Sequence, residues 1–165
     1  GIPGQITAAD IDFLVDTNLK STILTNQAAH AVMRKTGGRI INFGSAEAVM
    51  GSPISAVYAA TKAFVSHFSD ALHEELRGSG VTVTVVEPGF TRTDFQARAG
   101  LTENAGMPDF VWQTAEEVAD ATLAGARKGQ ALIVPGTHNR VAAGLSALVP
   151  RNVRRRAVGL MSGRF

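Results

Sequence analysis

Val81-Thr82-Val83-Thr84-Val85-Val86, followed by Glu87-Pro88-Gly89, is the clearest structural signal in the chain. Six β-branched residues in succession form a strand, and Pro88 with Gly89 stop it. The run is apolar almost throughout, as expected of a strand covered on both faces in a parallel sheet.

Upstream, residues 55–77 read as a helix that closes at Gly78 and Gly80. Before it, R-I-I-N-F (39–43) is a second β-rich run that reaches Gly44 and Ser45, with a loop around Gly51 and Pro53. Thr7 and Asp10 mark a helix start. Ile11, Leu14, Val15, Leu19, Thr22 and Ile23 then recur at helical spacing, predicting one long helix to about Lys35. Downstream, residues 90–113 lose periodicity and read as a long mobile excursion. Thr114 and Glu117 form a capping box for a helix ending near Lys128, and residues 131–134 make a third strand, stopped by Pro135 and Gly136. Helices alternating with buried strands predict an α/β fold, a parallel sheet with helices on both faces. No internal repeat is evident.

At 165 residues and 45% apolar content the chain reads as a single domain with a real core. No run of about 18 apolar residues and no signal-peptide pattern occurs, so the expectation is a soluble, cytoplasmic protein. The lack of cysteine excludes disulfides and thiolate metal sites, and no metal is expected. The charge is uneven: residues 121–165 carry eight Lys/Arg and no acid, while all fourteen acids lie in residues 1–120. The basic tail, 141–165, lacks the aromatic interleaving of a nucleic-acid surface, so no nucleic-acid partner is expected. Such tails are mostly solvated faces or oligomer contacts, with membrane-surface contact a lesser alternative.

In open parallel sheets ligands bind beyond the carboxyl ends of the strands. Ser45 follows the first strand, Pro88 to Thr93 follow the second, and Tyr58 and Lys62 open the helix between them, so a serine, a tyrosine and a lysine converge on one rim. Tyr58 is the only tyrosine of the chain. Lys62, four residues on, shares its helix face. At an effective dielectric near 20 their attraction is worth roughly 3–4 kcal/mol, which predicts a phenol pKa lowered by about two units. Ser45 reads as a turn residue, or alternatively as a nucleophile. The latter lacks the G-x-S-x-G elbow, and His30, His67, His73 and His138 show no orienting partner. His67 and His73 read as solvated helix residues. Asn18 interrupts the apolar line of the first helix. It is either a solvent-facing edge residue or the mark of a kink whose freed carbonyl holds a water.

Asn18, Ser45 and Tyr58-x-x-x-Lys62 together resemble the Asn-Ser-Tyr-Lys tetrad of the single-domain short-chain dehydrogenases/reductases. D-T-N-L (16–19), R-I-I-N-F-G-S (39–45), S-A-V-Y-A-A-T-K-A-F (55–64) and V-V-E-P-G-F-T-R-T-D-F (85–95) are similar to that family's blocks, and the matches run from about residue 10 to 136. The resemblance implies the C-terminal two-thirds of a doubly wound, Rossmann-like sheet and a ketone/alcohol oxidoreductase using NAD or NADP. It implies Tyr58 as general acid/base, Lys62 holding the phenol's pKa down and bonding the nicotinamide ribose, and Ser45 bonding the substrate oxygen. Asn18 would seat a proton-relay water. Pro88 and Gly89 would lie against the nicotinamide, with Thr91 and Thr93 on its carboxamide or the pyrophosphate. Residues 91–113 would be a substrate lid, with Phe90, Phe95, Phe110 and Trp112 as an apolar wall. The helices beginning near Ala8 and Ser55 resemble those that pack between subunits, implying a homo-oligomer.

The family's opening strand and its Thr-Gly-x-x-x-Gly-x-Gly cofactor turn have no counterpart here, and Gly1-Ile2-Pro3-Gly4 is not that turn. The expectation is a chain truncated at its N-terminus, inactive by itself, with the outer edge of its first strand unpaired and the residues that select NAD or NADP missing. The rival reading is a cofactor-binding or interaction module without turnover.

Overall fold

The computed structural model describes residues 6–48, 55–94, 108–150 and 152–156. Its centre is β2 (Val81–Val86), flanked by β1 (Gly38–Phe43) and β5 (Leu132–Ile133) in the order β1-β2-β5, all parallel. The β1–β2 register runs from Gly38 opposite Val81 to Phe43 opposite Val86. Among the described residues β1 pairs along one edge only.

Successive strand side chains point to opposite faces, which sorts the packing. Ile40, Val81 and Val83 form the core on one face with Ala29 and Met33 of α2 (Ser21–Met33) and Leu72 and Leu76 at the end of α3 (Ala56–Glu75). From the other face, Arg39 Nε donates to the Ala126 carbonyl, 2.9 Å, in the last turn of α4 (Ala115–Arg127), and Thr84 Oγ1 donates to the Gln130 carbonyl, 2.7 Å. Fully buried Thr84 is tolerated because its hydroxyl is satisfied. Gly37, at φ +74°, lets the chain turn into β1, where a Cβ would lie 2.9 Å from the Gly80 carbonyl oxygen.

Both sequence-read caps form: Thr7 with Asp10 starts α1 (Ala8–Leu14), and Thr114 with Glu117 starts α4. The long first helix is not continuous. A π-helical segment, Val15–Lys20, separates α1 from α2 and carries Asn18. The hydroxyls of Ser21, Thr22 and Thr25 donate to the carbonyls of Thr17, Asn18 and Ser21 four residues back. Back-bonding of this kind competes with the amide ladder and bends helices. α2 is tied to the sheet by a buried polar cluster. Asn26 Nδ2 donates to Asn42 Oδ1 (2.8 Å), Asn42 Nδ2 returns a bond to Asn26 Oδ1 (3.1 Å) and gives another to Ser69 Oγ of α3 (2.9 Å).

Short strands β3 (Thr91–Arg92) and β4 (Gln113–Thr114) pair in parallel, so the aperiodic stretch is clasped at both ends. Its middle, including Phe95, lies outside the described residues. The tail begins as helix α5 (Thr137–Leu148) and continues helically at residues 152–156. Among the described residues no helix is long and apolar enough to cross a membrane.

Candidate functional site

The carboxyl ends of β1 and β2 are locked together just where the sequence places its reactive residues. Gly44 N donates to the Val86 carbonyl (2.8 Å) and Ala46 N to the Pro88 carbonyl (3.1 Å), which fixes Ser45 above the sheet beside the Pro88-Gly89 turn. A 3₁₀ turn, Ala46–Ala48, follows, and Glu47 N donates to Ser45 Oγ, 3.1 Å. Gly44 is closely surrounded. A Cβ there would meet Ser66 Oγ at 3.0 Å and Glu87 Cγ at 3.1 Å.

Tyr58 lies in the first turn of α3, and its phenol is hydrogen-bonded by the Ser45 side chain. Lys62 Nζ sits 5.7 Å from the centre of the Tyr58 ring and donates to the Phe43 carbonyl, 2.9 Å, at the end of β1. The helical spacing therefore brings phenol and ammonium together as read. Its electrostatic consequence does not follow. Burial pushes the Tyr58 phenol up from its ordinary 10.0 and the Glu47 carboxylate pushes it further, against the Ser45 bond, which lowers it. Burial also lowers the Lys62 ammonium. The cation lies over the ring and is spent on a backbone carbonyl, while desolvation, which disfavours either charged form, dominates both groups.

Asn18 is half-buried, not solvent-facing. Its Nδ2 donates to Thr61 Oγ1 (2.9 Å), whose hydroxyl donates to the Tyr58 carbonyl (2.7 Å). The expected helix distortion is present, but its carbonyl accepts the Thr22 hydroxyl at 2.6 Å. Thr61, one turn along α3 from Tyr58, was not singled out from sequence, because only its contact with the π-helical segment gives it a role.

Gly89 lies against α5, where a Cβ would come 2.6 Å from the Asn139 amide. Thr91 Oγ1 donates to the Gly89 carbonyl, 3.2 Å, and Thr93 is exposed beyond β3. Of the expected apolar wall, Phe90 and Trp112 form a tilted ring pair at 5.3 Å, whereas Phe110 is 74% exposed and takes no part. Arg92 bonds Asp109 at 2.8 Å and lies over the Trp112 ring.

Glu87 carries no sequence signal, and the solvated reading of His73 is overturned. Glu87, 6% exposed, accepts from Ser66 Oγ at 2.6 Å, and burial raises its carboxyl above the ordinary value. His73 is no solvated residue: its Nδ1 lies 2.6 Å from the Val83 carbonyl. Among the described residues no cluster of metal-binding side chains occurs.

Comparison with known proteins matches the short chain dehydrogenase family model to residues 3–104, more than half of the chain. This chain belongs to the short-chain dehydrogenase/reductase family. It is 40% identical over 95 residues to the 3-oxoacyl-(acyl-carrier-protein) reductase FabG of Escherichia coli (strain K12), covering 57% of this chain and 39% of that protein. It is 33% identical over 156 residues to nodulation protein G of Rhizobium sp. (strain N33), covering 90% and 62%. The short-chain dehydrogenase from Sphingobium yanoikuyae in complex with NADPH superposes with a TM-score of 0.77 at 32% identity, covering all of this chain and 61% of that one. The chain thus spans less than two thirds of these relatives, and its sheet is part of the family's Rossmann-like fold.

Proposed function

We propose that the protein carrying this chain is an NAD(P)-dependent oxidoreductase that interconverts a ketone and a secondary alcohol, with Tyr58 as its proton donor and acceptor. The observation that carries this reading is the Ser45–Tyr58 hydrogen bond over the mouth of the sheet, with Lys62 beside the ring.

A nicotinamide held on this rim would supply the hydride for the carbonyl carbon in reduction and accept it in oxidation. In reduction the Tyr58 phenol gives its proton to the carbonyl oxygen, and in oxidation it accepts that proton from the alcohol. A phenol held neutral by burial is in the right state for the first step. Ser45 Oγ donates to the same oxygen as negative charge develops on it. Lys62 has three N–H donors and commits one to Phe43 among the described residues, which fits a second bond to the nicotinamide ribose. The Pro88-Gly89 turn and Thr91 lie on the same rim and fit the nicotinamide ring and carboxamide, with Thr93 toward the phosphates. Asn18, through Thr61, steadies the backbone of Tyr58, and a water on the lone pair of its carbonyl that Thr22 leaves open would replenish the proton.

NADPH and NADP in the Sphingobium structure and in that of a Burkholderia cenocepacia short-chain dehydrogenase support a nicotinamide cofactor. The reductase names among the curated relatives favour reduction as the working direction. Residues 91–113 would cover the substrate. Exposed Phe13, Leu24 and Val32 on α1 and α2 support assembly with further copies.

The test is NADH and NADPH oxidation by the intact protein against a panel of ketones. Turnover with at least one is expected. Tight cofactor binding with no turnover across the panel would favour the non-catalytic module instead.

A further inference from the structure

Glu47 stands two residues after Ser45 and is accounted for by none of the roles above. Its position is held from both ends. Its amide donates to Ser45 Oγ at 3.1 Å, and its Oε2 accepts from Ser55 Oγ at 2.6 Å. Ser55 is the N-cap residue of α3, where a serine hydroxyl ordinarily accepts from its own helix and stabilises it. Here it makes no such bond. The hydroxyl is given to Glu47 instead, so a contribution to helix stability is diverted to orienting one carboxylate. Ser55 lies three residues before Tyr58, so this bond holds the carboxylate at the end of α3 that carries the phenol, and its charge works against the phenol's ionisation while Ser45 bonds the same phenol. A negative charge is therefore built in beside the two hydroxyls that would meet the substrate's oxygen.

We propose that Glu47 is a specificity-determining residue: it makes the site select against ketones carrying an anionic group on the carbonyl carbon, in favour of those carrying a neutral or donor group there. The inference rests on the oxidoreductase reading. A carboxylate on the substrate would be brought against Glu47 in a half-buried mouth where opposite and like charges act strongly, and a hydroxyl in the same place finds an acceptor. Ser45 bonds the phenol and the Glu47 carboxylate acts on it from the β1 side, while Lys62 lies over its ring from α3 and is bonded to Phe43.

The test compares kcat/KM for 2-oxobutanoate, butan-2-one and 1-hydroxybutan-2-one, which differ only at the group beside the carbonyl, in the intact protein and its Glu47→Gln variant. The parent should disfavour 2-oxobutanoate relative to butan-2-one, and Glu47→Gln should raise that ratio roughly tenfold, as expected for removing one like charge at short range. An unchanged ratio, or a parent that prefers the keto acid, overturns the proposal. A second readout needs no turnover. Phenolate absorbance titrated against a Tyr58→Phe blank reports Tyr58 alone, and Glu47→Gln should lower its midpoint. An unmoved midpoint would place the carboxylate away from the reacting oxygen and also overturn the proposal. Failure of the oxidoreductase reading looks different: neither the parent nor Glu47→Gln would then reduce any of the three ketones, while the phenolate titration would still report on Glu47.

Discussion

The Asn26–Asn42 pair offers a sharp test of how the site is held. Asn26 is 2% exposed and Asn42 7%. Asn42→Leu, close to isosteric, leaves Asn26 Oδ1 without the donor it had at 3.1 Å and removes the bond to Ser69, whose hydroxyl keeps the Val65 carbonyl at 2.7 Å. An orphaned buried acceptor costs about 1–3 kcal/mol and the second lost bond about 1 more, so the variant should lose about 2–4 kcal/mol. Asn26→Leu orphans Asn42 Oδ1 and should lose about 1–3 kcal/mol. Replacing both removes the orphans along with the bonds, so the double variant should be less destabilised than the two single losses together by about 1–3 kcal/mol. Equilibrium urea unfolding of the four proteins measures this. Additivity within about 0.5 kcal/mol would show that the pair is not the clamp described. The pair also reaches the site. Asn26 Nδ2 bonds the Thr22 carbonyl (2.8 Å) and Thr22 bonds the Asn18 carbonyl, so the single variants should lower kcat as well as stability.

Three other outcomes are expected. Glu87 has a folded-state pKa raised above the usual 4.5, so its contribution is complete below that pH and is lost as pH rises through the folded value; Glu87→Gln should flatten the decline of stability above pH 4.5, and an equal difference at pH 4 and pH 7 would refute this. Lys62→Met should weaken cofactor binding and lower kcat/KM by at least about 100-fold with an unchanged circular dichroism spectrum; unaltered cofactor affinity would remove Lys62 from the ribose. Thr114→Ala, which breaks the capping box of α4, should cost about 1 kcal/mol in thermal unfolding, and no loss would mean that helix is held by packing alone.

Much of this architecture is legible because its causes are local. V-T-V-T-V-V favours an extended strand through its own β-branching, Thr7/Asp10 and Thr114/Glu117 satisfy their own helix amides, and residues four apart on α3 share a face, so Tyr58 and Lys62 meet. Features that depend on distant partners are not legible. A kink at Asn18 is legible as one of two readings, but its π-helical form goes with Thr22 back-bonding and with Asn18 reaching Thr61, 43 residues away. The direction of the Tyr58 shift is set by burial and by Glu47, and neither is visible in the interval between Tyr58 and Lys62. His73 and Glu87 were opaque for the same reason, since their partners Val83 and Ser66 sit on other elements. The β3–β4 clasp joins residues on either side of an aperiodic stretch that offers no pairing signal.

At the centre of the account is one phenol that hands a proton to the substrate's oxygen. Single-turnover reduction of a ketone by the intact protein and by Tyr58→Phe, at saturating NAD(P)H, measures that step alone. The rate in Tyr58→Phe should be about 10²–10⁴-fold lower with cofactor affinity retained; equal rates in the two proteins would remove Tyr58 from the proton transfer.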